Sequence, residues 1–169
     1  GDVSGDLSDL CTPEAWLPHL DGVDAVVNAA GILREQRGQR FDVIHERAPL
    51  ALAAACRTAG IRRFVQISAL GDSADGEFMA SKHRADAALL AMDGLDVVVL
   101  RPSVVYSATG SYGGTSLLRA LAAFPVVQPV PGQGNWPLQP VAAEDLATVV
   151  VRALERTATG VLDVCGPEP

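Results

Sequence analysis

Short aliphatic runs alternate with longer amphipathic stretches along this chain, and the spacing within each stretch predicts its element. Residues 23–27 (Val23-Asp24-Ala25-Val26-Val27), 64–67 (Phe64-Val65-Gln66-Ile67) and 96–100 (Asp96-Val97-Val98-Val99-Leu100) are β-rich, bounded by turn residues and mostly apolar on both faces. Parallel strands have this pattern because helices cover both sides of their sheet. Helical spacing fills the gaps. One helix is expected over 41–59, ending at Gly60 with Pro49 as a kink or restart, and another over 77–92, with Gly94 closing the turn into the third strand. A last helix over 143–156 and a strand over 161–164 complete the alternation, which predicts a doubly wound, mostly parallel α/β sheet in one domain over 1–169. From 107 to 140 the pattern breaks into Gly- and Pro-rich sequence around a short helix at 115–123, expected to be a substrate-side excursion.

Composition narrows the ligands. The 169 residues are 49% hydrophobic but only 5% aromatic, so the core is aliphatic. Thirteen basic against twenty acidic residues give a net charge of -7, which argues against a nucleic-acid or anionic-membrane partner and in favour of a small-molecule substrate. Cys11, Cys56 and Cys165 are odd in number and lack paired spacing, which suits a reduced, cytoplasmic setting. His19, His45 and His83 form no helical metal pair; they are expected at the surface or in turns, and no metal site is predicted. No signal peptide is evident, nor an apolar run near the roughly eighteen residues of a membrane span. Lys82 is the one lysine beside twelve arginines. A compact ammonium makes point-like hydrogen bonds that a planar guanidinium cannot copy, so its retention is informative.

In an open α/β sheet, ligands bind beyond the carboxyl ends of the strands. After the first strand comes Asn28-Ala29-Ala30-Gly31, whose small side chains allow close approach of a flat or phosphate-bearing ligand, although an ordinary turn accounts for them too. Ser68-Ala69-Leu70-Gly71 follows the second strand and places a hydroxyl at the sheet's mouth, or a turn serine. Arg101-Pro102-Ser103-Val104-Val105-Tyr106 follows the third; Pro102 restricts Arg101 to an extended form, either facing a ligand or in a structural loop. Asp6-Leu7 offers a carboxylate to an exocyclic amine, or a helix cap. Glu144-Asp145 reads as first-turn charge complementing a helix dipole. Arg34, Glu35, Arg37 and Arg40 read as a solvated loop or, less simply, a contact for an anionic substrate, and Trp136 as a pocket or core residue.

In this order and at these spacings, the motifs resemble an extended or atypical short-chain dehydrogenase/reductase. The phrases Gly22–Asn28, Gln66–Gly71 and Gly166–Pro169 are similar to NAD-dependent epimerase/dehydratases and to the nucleotide-binding accessory subunit of respiratory complex I. The resemblance implies a Rossmann-type sheet and a cofactor, NAD or NADP, bordered by Asn28, Ala29, Ala30, Gly31, Lys82, Pro102, Ser103, Val104 and Val105, with Asp6 and Leu7 at adenine. It also implies catalytic roles for Ser68 and Lys82.

Two departures shape the functional expectation. The family's Tyr-x-x-x-Lys tyrosine is replaced by Phe78, and losing a positioned acid/base costs about 10² to 10⁴-fold in rate. Tyr106 or Tyr112 is a candidate substitute hydroxyl; His83 is not, since adjacent helical residues point about 100° apart. Also missing are the first strands with their Gly-x-x-Gly-x-x-Gly turn and the residue that selects NAD from NADP. The strand at 23–27 is therefore expected to present a hydrophobic edge completed by an N-terminal segment or another chain. The function implied is an NAD(P)-binding, epimerase/dehydratase-like oxidoreductase with atypical or weakened catalysis; the alternative is a catalytically silent dinucleotide-binding module with an assembly or redox-sensing role.

Overall fold

A computed structural model describes residues 5–107, 110, 120, 123 and 138–167. Six strands occur among them: β1 (Ala25–Asn28), β2 (Arg63–Ile67), β3 (Asp96–Pro102), β4 (Val105–Tyr106), β5 (Val141–Ala142) and β6 (Gly160–Val164). The main sheet has the order β1-β2-β3-β6 with every pair parallel, and β4 and β5 form a separate parallel ribbon. Its register sets Asn28 beside Gln66, Gln66 beside Val99, and Pro102 beside Val164. The helices are α1 (Pro13–Trp16), α2 (Ala48–Thr58), α3 (Glu77–Leu90) and α4 (Ala143–Glu155).

Alternation along each strand sends neighbouring side chains to opposite faces. Phe64, Val97 and Val99 point to one side, where Leu52 and Cys56 of α2 and Leu89 of α3 close over them. Val65, Val98 and Leu100 point to the other, against Leu146, Val149, Val150 and Ala153 of α4. The sheet is thus covered on both faces, as the unbroken aliphatic strands require. Glu144 and Asp145 lie in the first turn of α4, as expected.

Pro49 stands where the α-winding restarts, in the first turn of α2. The chain runs helically from Phe41 through Thr58, and residues Asp42–Arg47 are wound as a π-helix, with the Ala48 N–H donating to the Val43 carbonyl. In an α-helix, a proline lacks one donor and its ring collides with the carbonyl four residues back. Here that carbonyl belongs to His45, inside the wider π-turn, so the extra residue in the turn accommodates the ring.

Arg63, at the amino end of β2, is buried and ties α4 to the sheet. Its guanidinium donates to the carbonyls of Ala153 (2.7 Å from Nε), Ala158 (2.8 Å) and Asp96 (3.2 Å). Two of these carbonyls belong to the carboxyl end of α4 and the turn beyond it, where a cation also complements the helix dipole.

Among the described residues β1 pairs only with β2, and its other flank is open. An apolar groove of about 450 Å³ runs along it, lined by Trp16, Leu20, Val23, Val26, Val27 and Leu52 among others. No helix among the described residues is long and apolar enough to cross a membrane.

Candidate functional site

Asn28 ends β1 and shapes the turn beyond it. Its side-chain amide donates to Gln66 Oε1 at 2.8 Å, and its Oδ1 accepts the Ala30 N–H at 3.2 Å, an Asx turn that bends the chain off the sheet. Ala29, Ala30 and Gly31 then form one wall of an open cleft of about 520 Å³, whose other walls include Asp6, Leu7, Ile32 and Ile44. Five residues predicted to border a cofactor therefore meet in one cleft. Asp6 also caps the short helical turn Leu7–Asp9, accepting the Ser8 N–H at 2.9 Å, so both of its predicted readings describe its position.

Lys82 reaches this wall from behind. It lies on the face of α3 that packs on the sheet, 5% exposed, and its Nζ donates to the carbonyls of Ile67 (3.1 Å) and Ala30 (3.3 Å) at the carboxyl ends of β2 and β1. A Cβ on Gly31 would sit 3.0 Å from that Nζ and 3.3 Å from Cε, so the glycine provides the space the amine occupies. Burial pushes the Lys82 pKa down to about 8, partly offset by the negative charge of Asp86.

His45 corrects an expectation: it is neither at the surface nor in a loop turn but 1% exposed within the π-wound segment. The Ile32 N–H donates to its Nε2 at 3.0 Å, which fixes the hydrogen on Nδ1, 2.8 Å from Ser81 Oγ; the serine hydroxyl in turn donates to the Phe78 carbonyl at 3.0 Å. Burial, followed by the charge of Lys82, pushes its pKa down to about 4, so the ring is neutral. The imidazole links the Gly31–Ile32 turn to α3 one residue before Lys82. A buried histidine in an amphipathic helix carries no sequence signal that separates it from an exposed one.

Phe78 packs edge-on against His45 (centroids 5.5 Å apart) and Phe41 (6.2 Å), while Phe41 stacks on His45 at 5.1 Å. The ring adds apolar contact and has no proton to exchange.

Ser68 is buried, and its hydroxyl donates to Asp86 Oδ2 at 2.8 Å. The same oxygen accepts Arg101 Nε at 3.0 Å, while Asp86 Oδ1, also buried, has no hydrogen-bond partner among the described residues. Sequence reasoning misses Asp86 because a carboxylate in a helix usually marks its solvated face. Its position four residues after Lys82, one turn along the same face, is the available signal.

Residues 102–105 do not line the cleft; they are tied into neighbouring backbone. The Pro102 carbonyl accepts the Leu70 N–H at 3.0 Å, and Ser103 donates its N–H to Val164 (3.0 Å) and its hydroxyl to Gln139 (2.5 Å). The Val104 carbonyl accepts the Val141 N–H at 3.0 Å, and Val105 pairs with Val141. Tyr106 is 52% exposed, and His83 Nε2 lies 3.1 Å from the Ala69 carbonyl. Arg34, Arg37 and Arg40 are exposed, as expected of a solvated loop. Tyr112, Trp136 and nearly all of the helix expected at 115–123 lie outside the described residues.

In a parallel α/β sheet, a cleft beyond the carboxyl ends of the strands is where ligands bind. Residues 3–157 match the NAD(P)H-binding family, and the chain belongs to it. No protein of curated function matches the chain. Among solved structures, the chain is similar to dTDP-glucose 4,6-dehydratase from Bacillus anthracis in complex with NAD (TM-score 0.75, 18% identity, 98% of this chain and 58% of that one). It is also similar to a putative NAD-dependent epimerase/dehydratase from Bacillus halodurans (TM-score 0.70, 18% identity, 98% and 72%). A third is UDP-N-acetylglucosamine 4-epimerase from Bacillus cereus (TM-score 0.68, 19% identity, 94% and 64%). The chain thus spans between 58% and 72% of the length of these structures, and at such identities the likeness is one of fold.

The cleft suits the family's cofactor. Its wall of alanines and glycine has no side chain beyond Cβ to block a flat ring or a diphosphate, and a hydrogen-bonding amine stands directly behind it. A bound NAD(P) would supply hydride transfer; this chain supplies surface, orientation and charge.

Proposed function

We propose that this chain binds NAD or NADP at the carboxyl end of β1 and is part of an epimerase/dehydratase-like oxidoreductase whose acid–base chemistry is weakened. One observation carries the reading: Asp6, Leu7, Ala29, Ala30 and Gly31 share a single cleft, and the chain's one lysine is hydrogen-bonded to its wall. In this reading Asp6 and Leu7 meet adenine, Asn28 to Gly31 pack on the dinucleotide, and Lys82 turns its amine to the nicotinamide ribose. Pro102 to Val105, which lie outside this cleft, are assigned to the carboxamide end, and Ser68, its hydroxyl held by Asp86, to the substrate side. Several of the similar solved structures hold NAD, and one of these also holds UDP-glucose, which makes nucleotide sugars the first substrates to try. Residues 107–140, expected on the substrate side from their sequence, lie mostly outside the described residues. The open apolar flank of β1 suits a further strand, from the same polypeptide or another chain. Three free cysteines suit a reducing cytoplasm.

Phe78 and Ser68 favour a second reading, a silent dinucleotide-binding module with an assembly or redox-sensing role. Phe78 has no exchangeable proton, and the Ser68 hydroxyl hydrogen is committed to Asp86, so neither donates to a substrate carbonyl as they stand. Two experiments on the intact protein separate the readings. Calorimetric titration with NADH and NADPH tests binding, and no heat at millimolar cofactor sinks both. Turnover with sugar-nucleotide, carbonyl and quinone substrates, before and after Phe78→Tyr, tests chemistry. Activity in the parent supports the weakened enzyme, whereas activity gained only by the variant supports the silent module.

A further inference from the structure

We propose that Asp86 is the counter-charge that keeps Lys82 an ammonium at neutral pH, while the same carboxylate holds the Ser68 hydroxyl and Arg101 in place. The geometry is that of a hub. Asp86 is 1% exposed on α3, one helical turn beyond Lys82, and a single oxygen, Oδ2, takes both Ser68 Oγ (2.8 Å) and Arg101 Nε (3.0 Å). A carboxylate removed from water this completely is costly unless opposite charge stabilises it, and one such partner, Arg101, is bonded to it directly. The second oxygen, Oδ1, has no hydrogen-bond partner among the described residues, so part of the carboxylate's charge remains uncompensated by direct contact. Beyond Arg101, the other buried charge on α3 is Lys82, four residues earlier on the same face.

Lys82 needs such support. Its amine is held by two main-chain carbonyls, which offer dipoles but no net charge. The other groups around it do not help: His45, from the π-wound segment, is neutral; Asn28 and Gln66, from β1 and β2, are amides; and Arg101, from β3, adds positive charge beyond Asp86. Burial already brings the amine near pH 8, with Asp86 the opposing influence. Without Asp86 the amine would lose its proton near neutrality and with it the charge-assisted hydrogen bond that a cofactor hydroxyl would receive.

The inference rests on the proposed role of Lys82 at the dinucleotide, but its test is read without cofactor. With one lysine in these 169 residues, ¹³C-lysine labelling gives this segment a single ε-methylene resonance, assigned by its loss in Lys82→Arg. In the parent it should titrate near pH 8. Asp86→Asn keeps the shape and removes the charge, and the midpoint should fall by about one pH unit or more, from the Coulomb energy of charges a helical turn apart in a protein interior. Arg101→Gln leaves the carboxylate unopposed, and the midpoint should rise. The two variants thus give shifts of opposite sign, and Arg101→Gln still decides if Asp86→Asn fails to fold. An unchanged midpoint in a folded variant, or a shift of the wrong sign, overturns the inference. NADH affinity measured on the same samples separates the two ideas: Asp86→Asn should bind several-fold more weakly at pH 7.5 and approach the parent at pH 6. If the parent binds no NADH while the midpoints move as stated, the proposed function fails and the electrostatic role of Asp86 stands.

Discussion

Replacing His45 with glutamine should flatten the acid side of the protein's stability profile. The imidazole is neutral because burial, followed by the charge of Lys82, holds its pKa at about 4 in the folded chain against 6.5 when solvated, and its Nε2 accepts the Ile32 N–H. A folded pKa below the unfolded one means that the unfolded chain takes up the proton first. Stability is therefore complete above pH 6.5 and drains away as the pH falls through the window from 6.5 to about 4. At about 1.4 kcal/mol per pKa unit, the loss across the window is on the order of 3 kcal/mol, a large share of a small domain's stability. Glutamine can accept from Ile32 and donate to Ser81 but does not titrate. It forfeits the ring contacts with Phe41 and Phe78, so His45→Gln should cost about 1 to 3 kcal/mol at pH 7.5. Urea unfolding followed by tryptophan fluorescence at pH 7.5, 6, 5 and 4 gives the difference between the two proteins, in which the common carboxylates cancel. That difference should shrink, and reverse near pH 4. Parallel profiles would show that the imidazole is not held neutral and would refute the reasoning.

Gly31→Ala should push the Lys82 amine off the Ala30 carbonyl, since the new methyl would stand 3.0 Å from Nζ; NADH affinity by calorimetry is expected to fall about tenfold, the equivalent of one displaced hydrogen bond. Arg63→Met leaves the carbonyls of Ala153 and Ala158 without their donor, and urea unfolding should register a loss of about 2 to 4 kcal/mol with cofactor binding unchanged. Lys82 also predicts an alkaline signature. Its folded pKa of about 8 lies below the unfolded 10.5, so the unfolded chain holds the extra proton between those values and stability rises with pH there. Relative to Lys82→Met, the parent should gain up to about 3 kcal/mol from pH 8 to 10.5 in the same assay.

The sheet was legible because burial on both faces leaves no choice of residue but aliphatic ones. Val97-Val98-Val99-Leu100 cannot be confused with an exposed strand, and it forms the centre of β3. The cleft wall at Ala29 to Gly31 was legible for a related reason: a run of small residues at a strand's carboxyl end leaves a recess there. What could not be read is what depends on the third dimension. A periodic pattern shows which face of a helix is apolar, but His45 and Asp86 are polar groups on buried faces, stabilised by partners 13 to 36 and 15 to 18 residues away in sequence. Pro49 marked the restart of α-winding at Ala48, but the π-turn before it carries no sequence signal. The lone lysine was informative from composition alone, but its two carbonyl partners come from separate strands.

The central claim is that the Lys82 ammonium, seated between the Ala30 and Ile67 carbonyls, belongs to a dinucleotide site. Calorimetric titration of NADH into the intact protein and into Lys82→Arg tests it most directly, because the guanidinium keeps the charge but not the compact shape of the amine. Saturable binding by the parent that weakens at least tenfold in the arginine variant is the result predicted. Equal affinity in the two folded proteins, or no binding in the parent, would contradict it.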